Sequence, residues 1–355
     1  MAFDLNGLVR PNILRLKPYS SARSEFEGDA DIFLDANENA FGSPAGDGYN
    51  RYPDPLQKEL KALIGRTNGL SIEQMFVGNG SDEAIDLLFR IFCEPGRDEA
   101  IVCPPTYGMY GVSADINDVS FRKVPLTNAF QLDVEAILSA VNSHSKLIFI
   151  CSPNNPTGNL MRRADIEVLL NNFCGIVVID EAYIDFAAEP SMITELDHFP
   201  NLVVLQTFSK AWGMAGLRVG MAYASAEIIT LMNAVKPPYN VSGIAQRAVI
   251  EAITDKNSVE DWIRRTLSER DRLISELDKL SFVQRIFLSD SNFVLVKMED
   301  ARGVYKYLVE KKIVVRDRSN VQLCEGCLRI TVGTEKENSR LLKAFSEHAL
   351  TISNC

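Results

Sequence analysis

The segment KLIFICSPNNPTG, residues 146–158, decides the fold class of this chain. Its apolar run at 147–151 is nearly continuous, as in strands buried on both faces of a parallel sheet, and turn-forming residues follow it directly. Similar short runs recur from Met75 to Tyr223, with amphipathic segments between them. They predict an α/β fold with a mostly parallel, seven-stranded sheet flanked by helices. The predicted strands are residues 75–77, 100–103, 121–126, 147–151, 176–179, 202–205 and 219–223, and the predicted helices are 82–92, 107–116, 134–141 and 166–173.

The C-terminal third follows a different pattern. Residues 258–280 carry an apolar stripe within a charged segment, which predicts one long helix. Strand-like runs at 283–288, 293–296, 313–315 and 328–332, with helices at 304–310 and from Glu335, predict a smaller α+β domain. We therefore expect a large domain at 46–257 and a smaller one formed by 1–45 and 258–355, with 258–280 as the helix between them.

The composition excludes several classes of protein. With 46% hydrophobic and 24% charged residues, the chain is typical of a globular protein and not of a disordered one. A net charge of −10 without any basic cluster argues against nucleic acid as a partner. The first residues do not form a secretory signal, and the apolar runs are far shorter than the ~20 residues that span a bilayer, so we expect no membrane contact.

The seven cysteines stand at scattered positions, which indicates buried thiols and a reducing compartment, the cytoplasm. Cys324 and Cys327 form one C-x-x-C pair. A zinc site needs a second pair or suitably spaced histidines, and the chain offers neither, so we expect no metal.

Three polar residues follow predicted strands at the end where open α/β sheets bind ligands. Lys210 stands in TFSK, directly after an apolar run, where partial burial favours its neutral, nucleophilic form. Asp180 ends the run VVID, and Asn155 follows the run at 147–151. Taken singly, Lys210 is better explained as a surface lysine and Asp180 as a helix cap, and the segment around Asn155 could be an ordinary turn.

Together, the order N-P-T-G, D-E-A-Y and S-K, with an arginine eight residues after the lysine, resembles the fold type I pyridoxal-phosphate-dependent aminotransferases. The match runs from about Tyr19 to Gly333. The segments PPTYGMYG (104–111), CSPNNPTG (151–158), DEAYIDF (180–186) and LRITVGT (328–334) are similar to one family within them, the histidinol-phosphate aminotransferases. The large domain would then bind the cofactor, and the smaller one would lie on the substrate side.

The resemblance implies a role for each residue around the cofactor ring. Lys210 would hold pyridoxal phosphate as an internal aldimine and later move a proton. Asp180 would bond the ring nitrogen, and Asn155 with Tyr183 would bond the phenolic oxygen. Tyr107 would stack on the ring face. Lys210, Asp180 and Tyr183 are therefore the expected catalytic residues.

The cofactor phosphate is expected at Gly80-Ser81-Asp82, where a glycine turn opens a helix, with help from Ser209 and Arg218. Because Asp82 and Glu83 are acidic, their carboxylates would have to point away from the phosphate; alternatively, Ser81 is a plain helix cap. Tyr52 resembles the family tyrosine that reaches the phosphate of a neighbouring subunit, which implies a homodimer. The substrate-binding residues implied are Tyr19, Arg316 and Arg329, with the two arginines as anion partners.

The resemblance implies transfer of an amino group between L-histidinol phosphate and 2-oxoglutarate in histidine biosynthesis. Two alternatives share nearly every motif: an aromatic amino-acid aminotransferase and a threonine-phosphate decarboxylase. A cofactor-binding regulatory domain without turnover is a third, for which the chain carries no obvious DNA-binding segment.

Overall fold

A computed structural model describes residues 3–19, 30–46 and 48–353. Within these ranges the larger sheet has seven strands in the order β1-β7-β6-β5-β4-β2-β3. Strands β2 to β6 run parallel with one another, whereas β7 is antiparallel to both β6 and β1. The predicted α/β class with a mostly parallel seven-stranded sheet is confirmed. The strands are β1 (Met75–Asn79), β2 (Glu99–Val102), β3 (Ser120–Lys123), β4 (Ser145–Cys151), β5 (Ile176–Asp180), β6 (Leu202–Thr207) and β7 (Val219–Tyr223).

The sheet is covered on both faces, because its central strands are apolar on both sides; every residue of β5 is buried. The helices Ser81–Phe92, Met109–Ile116 and Ala226–Val235 contribute buried side chains to the core on one face. Those on the other face are Lys58–Asn68, Val134–Ala140, Arg163–Asn172 and Gly243–Ile253. The short 3-10 helices among the described residues are Ile72–Gln74, Ile184–Phe186, Met192–Glu195 and Ala215–Leu217.

A second sheet of four antiparallel strands, in the order β10-β11-β9-β8, forms its own core. Helices Ala301–Glu310 and Glu335–Ser353 pack on it. The long helix Lys256–Leu277 joins the two parts: Leu273 and Leu277 lie in the small core, whereas Ile263 and Leu267 pack near Tyr183, which follows β5 of the large sheet. The strands are β8 (Val283–Ile286), β9 (Phe293–Met298), β10 (Arg316–Asp317) and β11 (Cys327–Thr331).

Two expectations differ from the structure. The strand predicted at 313–315 is wrong: β10 begins only at Arg316, and Val314 is 77% exposed. The N-terminal helices Leu5–Leu8 and Pro11–Leu14 dock on the large sheet instead of the smaller domain. Val9 is buried in that core, and the Arg10 side chain bonds Glu94 at 3.3 Å. The other domain limits stay a prediction.

None of the helices in the described ranges is both long and apolar enough to cross a membrane.

Candidate active site

A cleft opens at the carboxyl edge of the large sheet. The residues at its wall come from the ends of β1, β4, β5 and β6, the edge at which open α/β sheets bind ligands. The structure therefore brings together nearly all the side chains that the sequence singled out for the cofactor. Those that line the cleft are Ser81, Asp82, Tyr107, Asn155, Asp180, Tyr183, Ser209, Lys210 and Arg218.

Asp180 is the buried acid of this cleft, 3% exposed at the end of β5. Burial raises the pKa of its carboxyl group, while a hydrogen bond from the Tyr110 hydroxyl and one from the Ala182 N–H lower it. The Tyr110 oxygen lies 2.7 Å from Oδ2, and the Ala182 nitrogen lies 3.1 Å from Oδ1. Within the described residues Asp180 forms no salt bridge, so its charge is left for a cationic partner in the cleft.

Lys210 follows β6 at the mouth of the cleft. More than a third of its surface is exposed, yet partial desolvation lowers the pKa of its amine, and the charge of Arg329 acts in the same direction. Its Nζ lies 5.4 Å from the centroid of the Tyr183 ring. At neutral pH the Lys210 amine is therefore neutral in a larger fraction of molecules than the amine of an ordinary lysine.

The turn before helix Ser81–Phe92 forms a concave site suited to an anion, made by Gly80, Ser81 and Asp82 and called the anion cup below. Gly80 is the N-cap, with φ +74°, and Ser81 is the first helical residue, so the alternative in which Ser81 caps the helix is wrong. Gly220 of β7 lies against this turn. A Cβ added at Gly220 would lie 2.2 Å from the Ser81 nitrogen, so the close contact requires glycine there. The free N–H groups of the first turn face the cleft together with Ser209 and Arg218, as an anion site requires.

The two acidic residues of this turn behave differently. Glu83 points away from the cleft and accepts a hydrogen bond from Asn240 at 3.1 Å. Asp82 stays at the cleft wall, where its carboxylate accepts from the Tyr107 hydroxyl at 3.1 Å and lies 3.5 Å from Arg218. The expectation that both carboxylates turn away holds for Glu83 only, because a hydrogen bond from Tyr107 and the charge of Arg218 hold Asp82 at the cleft wall.

Asn155 links the two sheets. Its Nδ2 donates to the Tyr183 hydroxyl at 3.3 Å, and its Oδ1 accepts from Arg329 of β11. The Arg329 guanidinium also lies 5.1 Å from the Phe293 ring centroid. Burial raises the pKa of Tyr183, so its phenol stays protonated and can donate a hydrogen bond.

Beside this contact, three arginines share one face of the small sheet. Arg316 pairs with Arg329 in the β10–β11 register, and Arg318 stands two residues further on, where side chains return to the same face. Burial lowers the pKa of Arg318 and Arg329, and the Nε of each is buried without a hydrogen-bond partner. Within the described residues, none of the three forms a salt bridge with a carboxylate, which leaves their charges for an anionic ligand.

The sequence analysis missed Arg318. The R-D-R spacing was the available signal, but the strand was expected to end at residue 315, so no shared face could be assigned.

The family model for aminotransferase class I and II matches residues 29–345. The chain belongs to this aminotransferase family. A histidinol-phosphate aminotransferase of Cytophaga hutchinsonii is 55% identical over 348 residues, covering 98% of this chain and 100% of the relative.

Solved aminotransferase structures share the fold. The histidinol-phosphate aminotransferase of Clostridium acetobutylicum superposes with a TM-score of 0.79 at 27% identity, over 85% of this chain and 92% of that one. The enzyme of Sinorhizobium meliloti, solved in complex with pyridoxal-5'-phosphate, gives 0.77 at 24% identity, over 89% and 90% of the two chains. The predicted family and enzyme class are thereby confirmed.

Four residues predicted for the aminotransferase site do not line the cleft: Arg316 and Arg329, which line a second cavity beside the small sheet, and two tyrosines. Tyr52 is 51% exposed and stacks on Tyr239 with ring centroids 4.4 Å apart. Tyr19 is 75% exposed, at the end of the described range 3–19. Neither lines the cleft within this chain, and the roles of both stay predictions.

Among the residues that the structure describes, no group of three or more His, Cys, Asp or Glu could hold a metal ion. Cys324 and Cys327 are both buried and free.

Proposed function

We propose that this chain is a pyridoxal-phosphate-dependent aminotransferase that exchanges an amino group between L-histidinol phosphate and 2-oxoglutarate, in histidine biosynthesis. The observation that carries the proposal is the arrangement at one cleft: an anion cup, a buried carboxylate without a salt bridge among the described residues and a partly desolvated lysine line it, and Arg329 reaches it through Asn155. The 55% identity to a histidinol-phosphate aminotransferase over nearly the whole chain supports this substrate over the alternatives.

The residues present fit pyridoxal phosphate. Its phosphate matches the N–H groups of the first helical turn and the Arg218 guanidinium; a side chain at Gly220 would push against the backbone of that turn. Its protonated ring nitrogen matches the unpaired Asp180, and its phenolic oxygen matches the Asn155 amide and the Tyr183 hydroxyl. When bound, the cofactor supplies an electron sink for the carbanion that transamination requires.

The chain's own groups then move the proton. Lys210 Nζ, with its lowered pKa, accepts a proton from the substrate carbon and returns it to the cofactor side. Asp180 would supply the negative charge that pairs with the ring nitrogen of a bound cofactor, and Tyr107 would restrict the ring face; both residues line the cleft. Tyr183 stays protonated and fixes the hydrogen-bond direction at the phenolic oxygen.

Substrate choice depends on the arginine face. Histidinol phosphate carries no carboxylate, and its phosphate dianion offers more acceptor oxygens than one guanidinium can satisfy. Arg329 lies against the cleft through Asn155, and Arg316 and Arg318 add charge beside it. Arg329 would bind the phosphate of one substrate and the α-carboxylate of glutamate in the other half-reaction. Tyr19 is the proposed hydroxyl donor to the same phosphate.

We propose a homodimer in the cytoplasm. Ile32, Leu34 and Phe41 are 76%, 85% and 102% exposed, and a second copy of the chain would cover these apolar side chains. Tyr52 stands in the same stretch, from which it would reach the partner's phosphate cup. The cytoplasmic assignment is supported by the free state of the six cysteines within the described residues.

The test is to mix the purified enzyme, loaded with cofactor, separately with histidinol phosphate, phenylalanine, threonine phosphate and glutamate. We expect histidinol phosphate to bleach the cofactor's visible absorption at the lowest concentration. Bleaching first by phenylalanine would favour the aromatic aminotransferase. Release of carbon dioxide from threonine phosphate would favour the decarboxylase.

A further inference from the structure

Tyr110 is a fully buried residue directly beneath the cleft, and the sequence analysis assigned it no role. It stands on helix Met109–Ile116, is 0% exposed and does not line the cleft. Its hydroxyl donates to Asp180 Oδ2 at 2.7 Å. It therefore touches the proposed partner of the ring nitrogen from the side away from the cofactor.

The ring of Tyr110 is held on two sides, so its hydroxyl has little freedom to move away. It stacks on Phe149 of β4, with centroids 4.9 Å apart and planes 20° apart. Its edge meets the Tyr107 ring at 5.5 Å and 84°. Such aromatic contacts have definite preferred geometries. One side chain thus supports both Asp180 and Tyr107, the two residues proposed to contact the nitrogen and the face of the ring.

The hydrogen bond favours the charged form of Asp180. Burial alone raises the pKa of that carboxyl group, and the bond from Tyr110 opposes this effect. The pKa of Tyr110 is itself raised well above its usual value by burial and by the Asp180 charge, so it remains a donor at neutral pH. The other titratable groups acting on this pair are Asp82 and Lys210 on Asp180, and Cys151 on Tyr110.

Each Asp180 oxygen accepts one hydrogen bond from the protein, Oδ2 from Tyr110 and Oδ1 from the Ala182 N–H. A carboxylate has about four acceptor positions, so acceptor capacity is left for the cofactor.

We propose that Tyr110 is a positioning residue, which holds the Asp180 carboxylate in the orientation that pairs with the ring nitrogen of pyridoxal phosphate. This inference rests on the proposed function, since it requires that cofactor. Tyr110 touches neither cofactor nor substrate, and it acts only through Asp180.

The test compares two Tyr→Phe variants of the holoenzyme that each remove one buried hydroxyl. Tyr110→Phe breaks the bond to Asp180. Tyr223→Phe is the matched control, because Tyr223 is also 0% exposed, and its hydroxyl accepts from Asn68 at 3.4 Å in another part of the core. We expect the dissociation constant of pyridoxal phosphate, measured without substrate, to rise about tenfold or more in Tyr110→Phe and to stay unchanged in the control. Thermal unfolding of both variants without cofactor separates loss of fold from loss of affinity.

Two further readouts exclude a merely structural role. The pH midpoint of the visible absorption change reports the proton on the nitrogen that joins Lys210 to the cofactor. This midpoint should move to higher pH in Tyr110→Phe, because a less stabilised Asp180 leaves the ring nitrogen protonated less of the time, and the ring then withdraws less electron density from that nitrogen. In an Asp180→Asn background, adding Tyr110→Phe should cause little further change in affinity or midpoint.

The inference is overturned if Tyr110→Phe matches the control, or if it acts equally with and without Asp180. A wild-type protein that binds no pyridoxal phosphate would refute the proposed function instead, so the two failures are distinguishable.

Discussion

Replacing Arg316 and Arg329 separately by alanine should affect the two half-reactions differently. Arg329 is half-buried, donates to Asn155 and lies over Phe293, so its loss also frees the amide that bonds Tyr183. Removing a buried charge-assisted partner typically costs ~2–5 kcal/mol, or roughly 30-fold to 4,000-fold in affinity. We expect Arg329→Ala to weaken both histidinol phosphate and glutamate within this range.

Arg316 is exposed at the edge of the same face, and solvent screening reduces its effect. An exposed charge pair contributes about 0.2–1 kcal/mol, or roughly 1.4-fold to 5-fold, and a dianion interacts more strongly than a carboxylate. We therefore expect Arg316→Ala to raise the half-saturating concentration of histidinol phosphate by several-fold and that of glutamate by less.

Stopped-flow absorption of the bound cofactor measures both half-reactions on each variant. Arg340→Ala is the control, since Arg340 is an exposed arginine that lines the same cavity beside the small sheet as Arg316 and Arg329, and it donates to the Lys311 carbonyl at 3.0 Å. If Arg316→Ala weakens both donors equally, or neither, the arginine face is not a phosphate site. The aromatic aminotransferase would then be the better assignment.

Three more changes test other parts of the structure. Lys210→Ala should abolish multiple turnover while the protein still folds, as followed by circular dichroism and steady-state assay; wild-type turnover would contradict the proton-transfer role. Gly220→Ala should weaken pyridoxal phosphate binding at least tenfold, because the new Cβ would lie 2.2 Å from the Ser81 nitrogen and displace the turn. Gly216→Ala is the control, since a Cβ at Gly216 has no atom within 4 Å. Equal dissociation constants for the two variants would refute the anion cup. Lys61 is buried and its folded pKa is lowered from 10.5 to about 8, so below pH 8 its charge opposes folding by at most about 3 kcal/mol. Lys61→Met should therefore raise the unfolding free energy at pH 7, by chemical denaturation, and this gain should shrink as pH rises from 8 to 10.5; a gain that is constant with pH would contradict the explanation.

The sheet could be predicted from sequence because its strands are buried on both faces, and burial leaves a continuous apolar run. The same signal failed at residues 313–315, an apolar run in which Val314 is largely exposed. An apolar composition alone does not show whether a segment pairs with a neighbouring strand. Pairing there begins at Arg316, where the register with Arg329 starts.

The cofactor side of the site was predictable for a related reason. Asn155, Asp180 and Lys210 each follow a strand of one sheet, and parallel strands end at one edge. Tyr110 and Arg318 were not found, because their positions depend on how a helix packs and on where a short strand begins. The R-D-R spacing is a signal for Arg318, but it can be interpreted only once β10 is known to begin at Arg316 and to pair with Arg329.

The antiparallel direction of β7 also determines which changes of sequence near the cleft keep Lys210 and Arg218 at their present spacing. Because β6 and β7 are antiparallel, the chain between Thr207 and Val219 leaves the sheet and re-enters it at the same edge. Had the five-residue β7 run parallel to β6, Arg218 would stand about 16 Å away, at the opposite edge. In the antiparallel arrangement, Lys210 lies three residues after β6 and Arg218 directly before β7, so both are close to the paired strands. A change in the loop at residues 211–216, which does not line the cleft, would thus leave the spacing of these two functional side chains intact, because each is held by the paired strand next to it.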